Sequence, residues 1–272
     1  MKYYYITLPH KTDRQQTIES SFQQFAPPNA KLQKVEAVDT NFIKQNKIEG
    51  KVTEVERAVF CSHMGALTRG VQEDSHVAIF EDDTIFYKHT FNMFDDIASK
   101  LGEDNWDIIY GDLTIRVPNQ MMSLLTMQRD LKSKGQFIVN NVKELPLFCG
   151  AMSYVVNKNF IKKLIQLNED STSIDLAYDE FLRVLSEQGK VRSFFVFPFI
   201  THMSDLGNYS QVQQGDEKLY TDFLWGALRR LCWAGRTDED VEKLNNVLNI
   251  STEGLAVGRF MSTIMGYGQR GS

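Results

Sequence analysis

An α/β domain built on a mostly parallel sheet is predicted by three features of this 272-residue sequence. Short runs that are apolar on both faces recur between Tyr3 and Phe199. Stretches with helix-like spacing separate them. Acidic residues collect where one of the runs ends. Strands buried on both faces suit a sheet covered by helices, and alternation of the two element types is the signature of that class.

In chain order, YYYITL (Tyr3 to Leu8) is the first expected strand, and Lys11 to Phe25 the first helix. Val55 to Glu73 carries a second helical pattern and leads into HVAIF, His76 to Phe80. Phe91 to Leu101 is the next helix, followed by the strand WDIIYG, Trp106 to Gly111. Asn119 to Asn141 is polar without a clear period and is expected to be a mobile loop beside the site. FCGAMSYVV (Phe148 to Val156) and VRSFFVFPF (Val191 to Phe199) complete the strands, with helices over Asn159 to Leu167 and Asp175 to Gln188. After about Gly215 the strands stop. Two helices broken near Gly235 are expected there, with Thr237 capping the second ahead of Asp238, Glu239 and Asp240. The expected division is therefore a catalytic domain over 1–215 and a helical extension over 216–272.

Composition narrows the function. Apolar content of 42% and charged content of 24% are those of an ordinary globular protein. A net charge of -5 argues against a nucleic-acid binder. Three cysteines, Cys61, Cys149 and Cys232, without CxxC spacing point to reduced thiols and no zinc site. MKYYYITLPH is too short an apolar run for a signal peptide, and FFVFPFI (Phe194 to Ile200) falls far below a membrane span of roughly 20 residues. A cytoplasmic protein is expected, and the sequons at Asn208 and Asn249 are read as chance. GYGQRG (Gly266 to Gly271) matches a dinucleotide fingerprint but has no following helix to present N–H groups to a pyrophosphate.

The stretch HVAIFEDDTIF carries the chemistry. Four apolar residues run into Glu81, Asp82 and Asp83, and three adjacent carboxylates require a positive partner. In an extended chain Glu81 and Asp83 face one side and Asp82 the other. Ligands of open α/β sheets bind at the carboxyl ends of strands. Hard cations such as Mg²⁺ or Mn²⁺ take one or two carboxylates from protein and the remainder from phosphate and water. The plain alternative is a solvated turn after a strand.

Further segments bear on that choice: YYYITLPHKTDR with Leu8 and Arg14, VEAVD ending at Asp39, and ERAVFCSHMGAL with Glu56, Ser62 and His63. GAMSYVV with Gly150 and Tyr154, and YDEFL with Asp179 and Glu180, follow. In this order, with the triplet, they resemble glycosyltransferase family 25, over about Lys2 to Val212. Ala58-Val59 stands where the family commonly has Gly-Cys, which bears on packing. Gly111-Asp112 stands where Leu-Gly is usual, which bears on the acceptor side.

The resemblance implies a GT-A type fold and an inverting, metal-assisted transfer of a hexose, galactose by analogy with many relatives, from a UDP-sugar. The acceptor it implies is an oligosaccharide or lipid-linked saccharide of lipopolysaccharide or another surface glycan. Asp83 and then Glu81 are implied as ligands of Mn²⁺ or Mg²⁺, with His202 a further contact. Leu8, Arg14, Asp39, Glu56, Ser62, His63, Asp82, Gly150 and Tyr154 are implied around the donor. For Arg14 the alternative is a surface helix residue, and for His63 a buried, satisfied core residue. Asp179, or else Glu180, is implied as the base that takes the proton of the attacking hydroxyl. Asp175 is expected one helical turn before Asp179. The alternatives are a metal-dependent phosphohydrolase and a non-catalytic glycan-binding protein on the same scaffold. In the tail, LWGALRRLCWAG sets Trp225 and Trp233 beside Arg229 and Arg230. Such a helix suits either peripheral contact with the inner face of an anionic membrane or packing on the domain or a homodimer partner.

Overall fold

The computed structural model describes residues 1–115, 118–145, 147–169 and 173–204. The C-terminal helices, the Trp225–Trp233 segment, Cys232, both sequons and GYGQRG lie outside the described residues. In chain order the elements are β1 (Lys2–Thr7), α1 (Thr12–Phe25), β2 (Leu32–Glu36), α2 (Thr40–Gln45), α3 (Glu54–Gly70) and β3 (Val77–Glu81). Then come β4 (Thr84–Phe86), α4 (Thr90–Leu101), β5 (Ile108–Tyr110), β6 (Thr114–Ile115), α5 (Pro118–Lys134) and β7 (Ile138–Asn141). The described part closes with β8 (Phe148–Cys149), β9 (Ser153–Val156), α6 (Ile161–Glu169), α7 (Tyr178–Glu187), β10 (Ser193–Phe197) and β11 (Thr201–Met203).

The α/β class holds. A seven-stranded sheet runs β2-β1-β3-β9-β5-β10-β7. β2, β1, β3, β5 and β10 share one direction, while β9 and the edge strand β7 oppose them. The sheet is mostly parallel, with a reversed strand near its centre. Alternate residues feed two cores, as pleating requires. Tyr3 and Tyr5 of β1 join Ile18 and Phe22 of α1 and Phe91 and Phe94 of α4 on one face. Tyr4 and Ile6 face the other way, with Phe60 and Leu67 of α3, Leu164 of α6 and Leu182 of α7.

Three expectations need correction. Asn119 to Asn141 is no loop: it holds α5 and β7. Leu124, Leu125, Gln128 and Leu131 are buried at helical spacing, and the polar Gln128 in that stripe hides the period from the sequence. FCGAMSYVV is two strands, not one, interrupted at Gly150, whose φ of 95° breaks an extended chain. Asp175 is not one helical turn before Asp179, because α7 begins only at Tyr178 and Ala177 is still extended.

These elements set the location of the site. From β1 the chain crosses to β2 on one side, while β3 pairs on the other, so the connections diverge above the carboxyl ends of β1 and β3. A crevice opens at such a switch point.

Candidate active site

The acidic triplet stands on that crevice, and its three carboxylates have different surroundings. Asp82 is buried, accepts a hydrogen bond from Thr7 Oγ1 at 2.7 Å and pairs with Arg14 Nη1 at 2.9 Å. Thr7 ends β1 and Arg14 lies in the first turns of α1, so the pair joins three elements at the switch point. Burial acts against the Arg14 charge, but Asp83, Asp82 and Glu81 more than offset it and raise its pKa. Part of the positive partner demanded by the triplet is thus protein.

Glu81 is 38% exposed, with Oε1 3.5 Å from Nε2 of the buried His63. Its backbone N–H donates to the Met152 carbonyl at 2.8 Å, which also accepts from Thr84 Oγ1 at 3.1 Å. Asp83 is buried at the turn into β4, and its carbonyl accepts from Ser204 N at 2.7 Å. β4 pairs antiparallel with β11, placing His202 opposite Ile85. The Ser204–Asp83 bond continues that register by one step, so Asp83 lies two positions along the chain from the residue paired with His202. Tyr87 stacks on His202 with ring centroids 4.8 Å apart.

Asp179 sits in the first turn of α7. Its Oδ2 accepts from Gly150 N at 2.7 Å and its Oδ1 from Glu180 N at 2.9 Å. Each carboxylate oxygen retains a second lone pair, so the group is held in place without losing its capacity to accept a proton. Gly150 is two residues from Met152, a span of at most about 7 Å. That short segment links the grip on Asp179 to the backbone of Glu81. Glu180 instead pairs with Arg183 at 3.1 Å, and Asp175 with Lys51 at 2.8 Å.

The remaining expected residues separate into two groups. Leu8 follows Thr7 at the end of β1, and its carbonyl accepts from Gln15 Nε2 at 3.0 Å. Ser62 is buried, donates to the Ala58 carbonyl and accepts from Val38 N at 3.0 Å, tying α3 to the chain leaving β2. Tyr154 is buried against His63. Asp39 and Glu56 serve helix ends. Asp39 accepts from Phe42 N as cap of α2, and Glu56 forms a capping box with Thr53 at the start of α3.

Two residues outside the expected donor, metal and base sets belong here. Asp112, buried just past β5, raises the Tyr87 phenol pKa, though burial is the larger cause. Tyr178 precedes Asp179 and stacks on His63. An acid ending the apolar run WDIIYG was the available signal for Asp112, the same kind of signal that the triplet gives.

Carboxylate oxygens are the donors that a hard cation prefers. Among the described residues no three His, Cys, Asp or Glu side chains cluster closely enough to hold an ion alone. Glu81 and Asp83 fit an ion that takes one or two carboxylates from protein and completes its shell with phosphate and water.

The sequence profile of Glycosyltransferase family 25 (LPS biosynthesis protein) matches residues 1–182. The chain belongs to glycosyltransferase family 25. The matched region includes β1, the triplet and Asp179. Solved structures similar to this family 25 chain include the galactosyltransferase LgtC in complex with donor and acceptor sugar analogs, at 10% identity over 68% of this chain and 70% of that one, TM-score 0.39. The glycosyltransferase GlyE of Streptococcus pneumoniae TIGR4 matches at 12% identity over 77% of this chain and 46% of that one, TM-score 0.37. Mouse xyloside xylosyltransferase 1 in its apo form matches at 10% over 71% and 76%, TM-score 0.35. No curated protein matches the chain. Among the described residues no helix is long and apolar enough to cross a membrane.

Proposed function

We propose that this family 25 glycosyltransferase, with a GT-A type fold, transfers a hexose, galactose in the first instance, from a UDP-sugar to a saccharide acceptor with inversion. The observation that carries the proposal is the division of labour inside the triplet. Asp82 is buried between Arg14 and Thr7, while Glu81, at 38% exposure, presents a carboxylate at the carboxyl end of β3, two residues before Asp83. Asp83 and Glu81 would hold Mn²⁺ or Mg²⁺, with His202 on the β4–β11 ribbon. When bound, the ion neutralises charge on the departing diphosphate. Arg14 adds positive charge on the same side of the crevice. Asp179, fixed by two backbone N–H groups, takes the proton from the attacking hydroxyl. Glu180, drawn to Arg183, is the weaker candidate.

Calorimetric titration of the full chain with UDP, with and without Mn²⁺, tests the proposal. Binding should require the metal, and Asp83→Ala should abolish it while leaving the fold intact. Loss of such charge stabilisation also costs roughly a thousandfold in transfer rate. Asp179→Asn should bind UDP–Mn²⁺ normally and fail in turnover with a UDP-hexose, screened first by donor hydrolysis. Metal-independent binding, or full activity of Asp83→Ala after EDTA treatment, would sink the assignment.

A further inference from the structure

A line of polar groups runs through the core beneath Glu81. His63, on α3, exposes 1% of its surface, and its ring lies parallel to Tyr178, with an interplanar angle of 8° and centroids 4.3 Å apart. His63 Nδ1 is 3.0 Å from the Tyr154 hydroxyl, which is 2.9 Å from the Tyr178 hydroxyl. Nε2 points the other way, 3.5 Å from Glu81 Oε1. The stack fixes the plane of the ring and the Nδ1 contact fixes its rotation. Only the Glu81 end of the line reaches the crevice.

Proton placement along the line follows from chemistry. A neutral imidazole has one N–H donor and one acceptor. If Nδ1 carried the proton, a bare Nε2 lone pair would face the Glu81 carboxylate, which is repulsive. With the proton on Nε2, the ring donates toward Glu81 and Nδ1 accepts from Tyr154, which accepts in turn from Tyr178. Burial raises the pKa of both phenols, so each retains the proton this order requires. At 3.5 Å the last contact is longer than a closed N–H···O bond of about 2.9 Å. A modest rotation of the half-exposed Glu81 side chain closes it.

We propose that His63 is a positioning residue whose ring, locked by Tyr154 and Tyr178, holds the Glu81 carboxylate in the orientation that a bound cation and its nucleotide diphosphate require. The ring itself has no surface with which to touch a donor sugar. Tyr178 adjoins Asp179 in sequence, so the same line also ties the start of α7 to the triplet. The proposal rests on the metal-assisted reading of the site. Residues behind a metal ligand commonly change metal affinity 10–100-fold when altered.

Two measurements on the full chain test it. Nitrogen-15 NMR of the histidine rings, with the His63 signals assigned from His63→Phe, should show an exchange-protected proton on Nε2. Glu81→Gln should shift the Nε2 signal. An Nδ1–H tautomer, or an Nε2 signal indifferent to Glu81→Gln, overturns the proposal without reference to any ligand. In the second measurement, His63→Phe should weaken Mn²⁺-dependent UDP binding about tenfold or more when Glu81 is present, and by little in Glu81→Gln. Equal losses in both backgrounds indicate a merely structural histidine and overturn it. Should His63→Phe fail to fold, Tyr154→Phe, which removes the hydroxyl at Nδ1, supplies both the assignment and the cycle. A wild-type chain that binds no UDP refutes the proposed function, and the NMR result still decides the role of His63.

Discussion

Arg14 and Asp82 need each other more than either needs solvent. Their side chains are 14% and 10% exposed, so removing one partner leaves the other charged and largely out of water. Breaking such a buried pair costs about 3 kcal/mol, while removing both ends can be far less harmful. Arg14→Ala should therefore lower the urea midpoint strongly, and Arg14→Ala with Asp82→Asn should recover part of the loss. Additive losses in the double variant would show that the pair is not coupled. Because Thr7 also holds Asp82, the single variant Asp82→Asn should be milder than Arg14→Ala.

Helix ends give a sharper view of which expected residues serve the fold. Thr53 and Glu56 bond reciprocally at the start of α3, the helix that carries Ser62 and His63. Thr53→Ala should cost about 1 kcal/mol in chemical denaturation. Glu56→Gln keeps the box, so unchanged UDP affinity would mark Glu56 as a residue of the fold, and a large loss would place it at the donor as the resemblance implies. Much of the architecture was legible in the sequence because β1, β3, β5 and β10 read as strands and α1, α3 and α4 as helices from apolar spacing alone. The buried Gln128 concealed α5, and β4, only three residues long and directly after the triplet, was too short to give a pattern. The reversal of β9 could not be read, since SYVV is as apolar as VAIF and direction leaves no mark on composition. At the site, the triplet announced itself. Its internal division did not, because Arg14 and Thr7 lie 68 and 75 positions from Asp82. Contacts at that separation are set by topology and not by local pattern.

At the scale of the whole molecule, the amino end of the sheet carries a group that responds to acid. His76 lies at the amino end of β3, away from the triplet, tilted against the Trp106 ring and accepting from Lys158 N through Nδ1. Burial, with Lys158 adding to it and Glu103 opposing, lowers its pKa below the ordinary 6.5. The unfolded chain then takes up the proton first. Stability contributed by the neutral ring is present above about 6.5 and declines as pH falls through that value toward the folded pKa. Chemical denaturation at several pH values should show this decline, and His76→Gln should flatten it. The strand that runs against its neighbours has a consequence for synthesis. β5 touches only β9 and β10 in the sheet, so it leaves the ribosome with no partner yet made. The half-sheet β2-β1-β3 can assemble early, but its open edge along β3 stays bare until residue 156 has emerged. Until then Val77 to Phe80 presents an apolar, unpaired edge, the kind of surface that recruits chaperones or stray strands. A pause in translation after β9 favours the native sheet, and one before it prolongs the hazard.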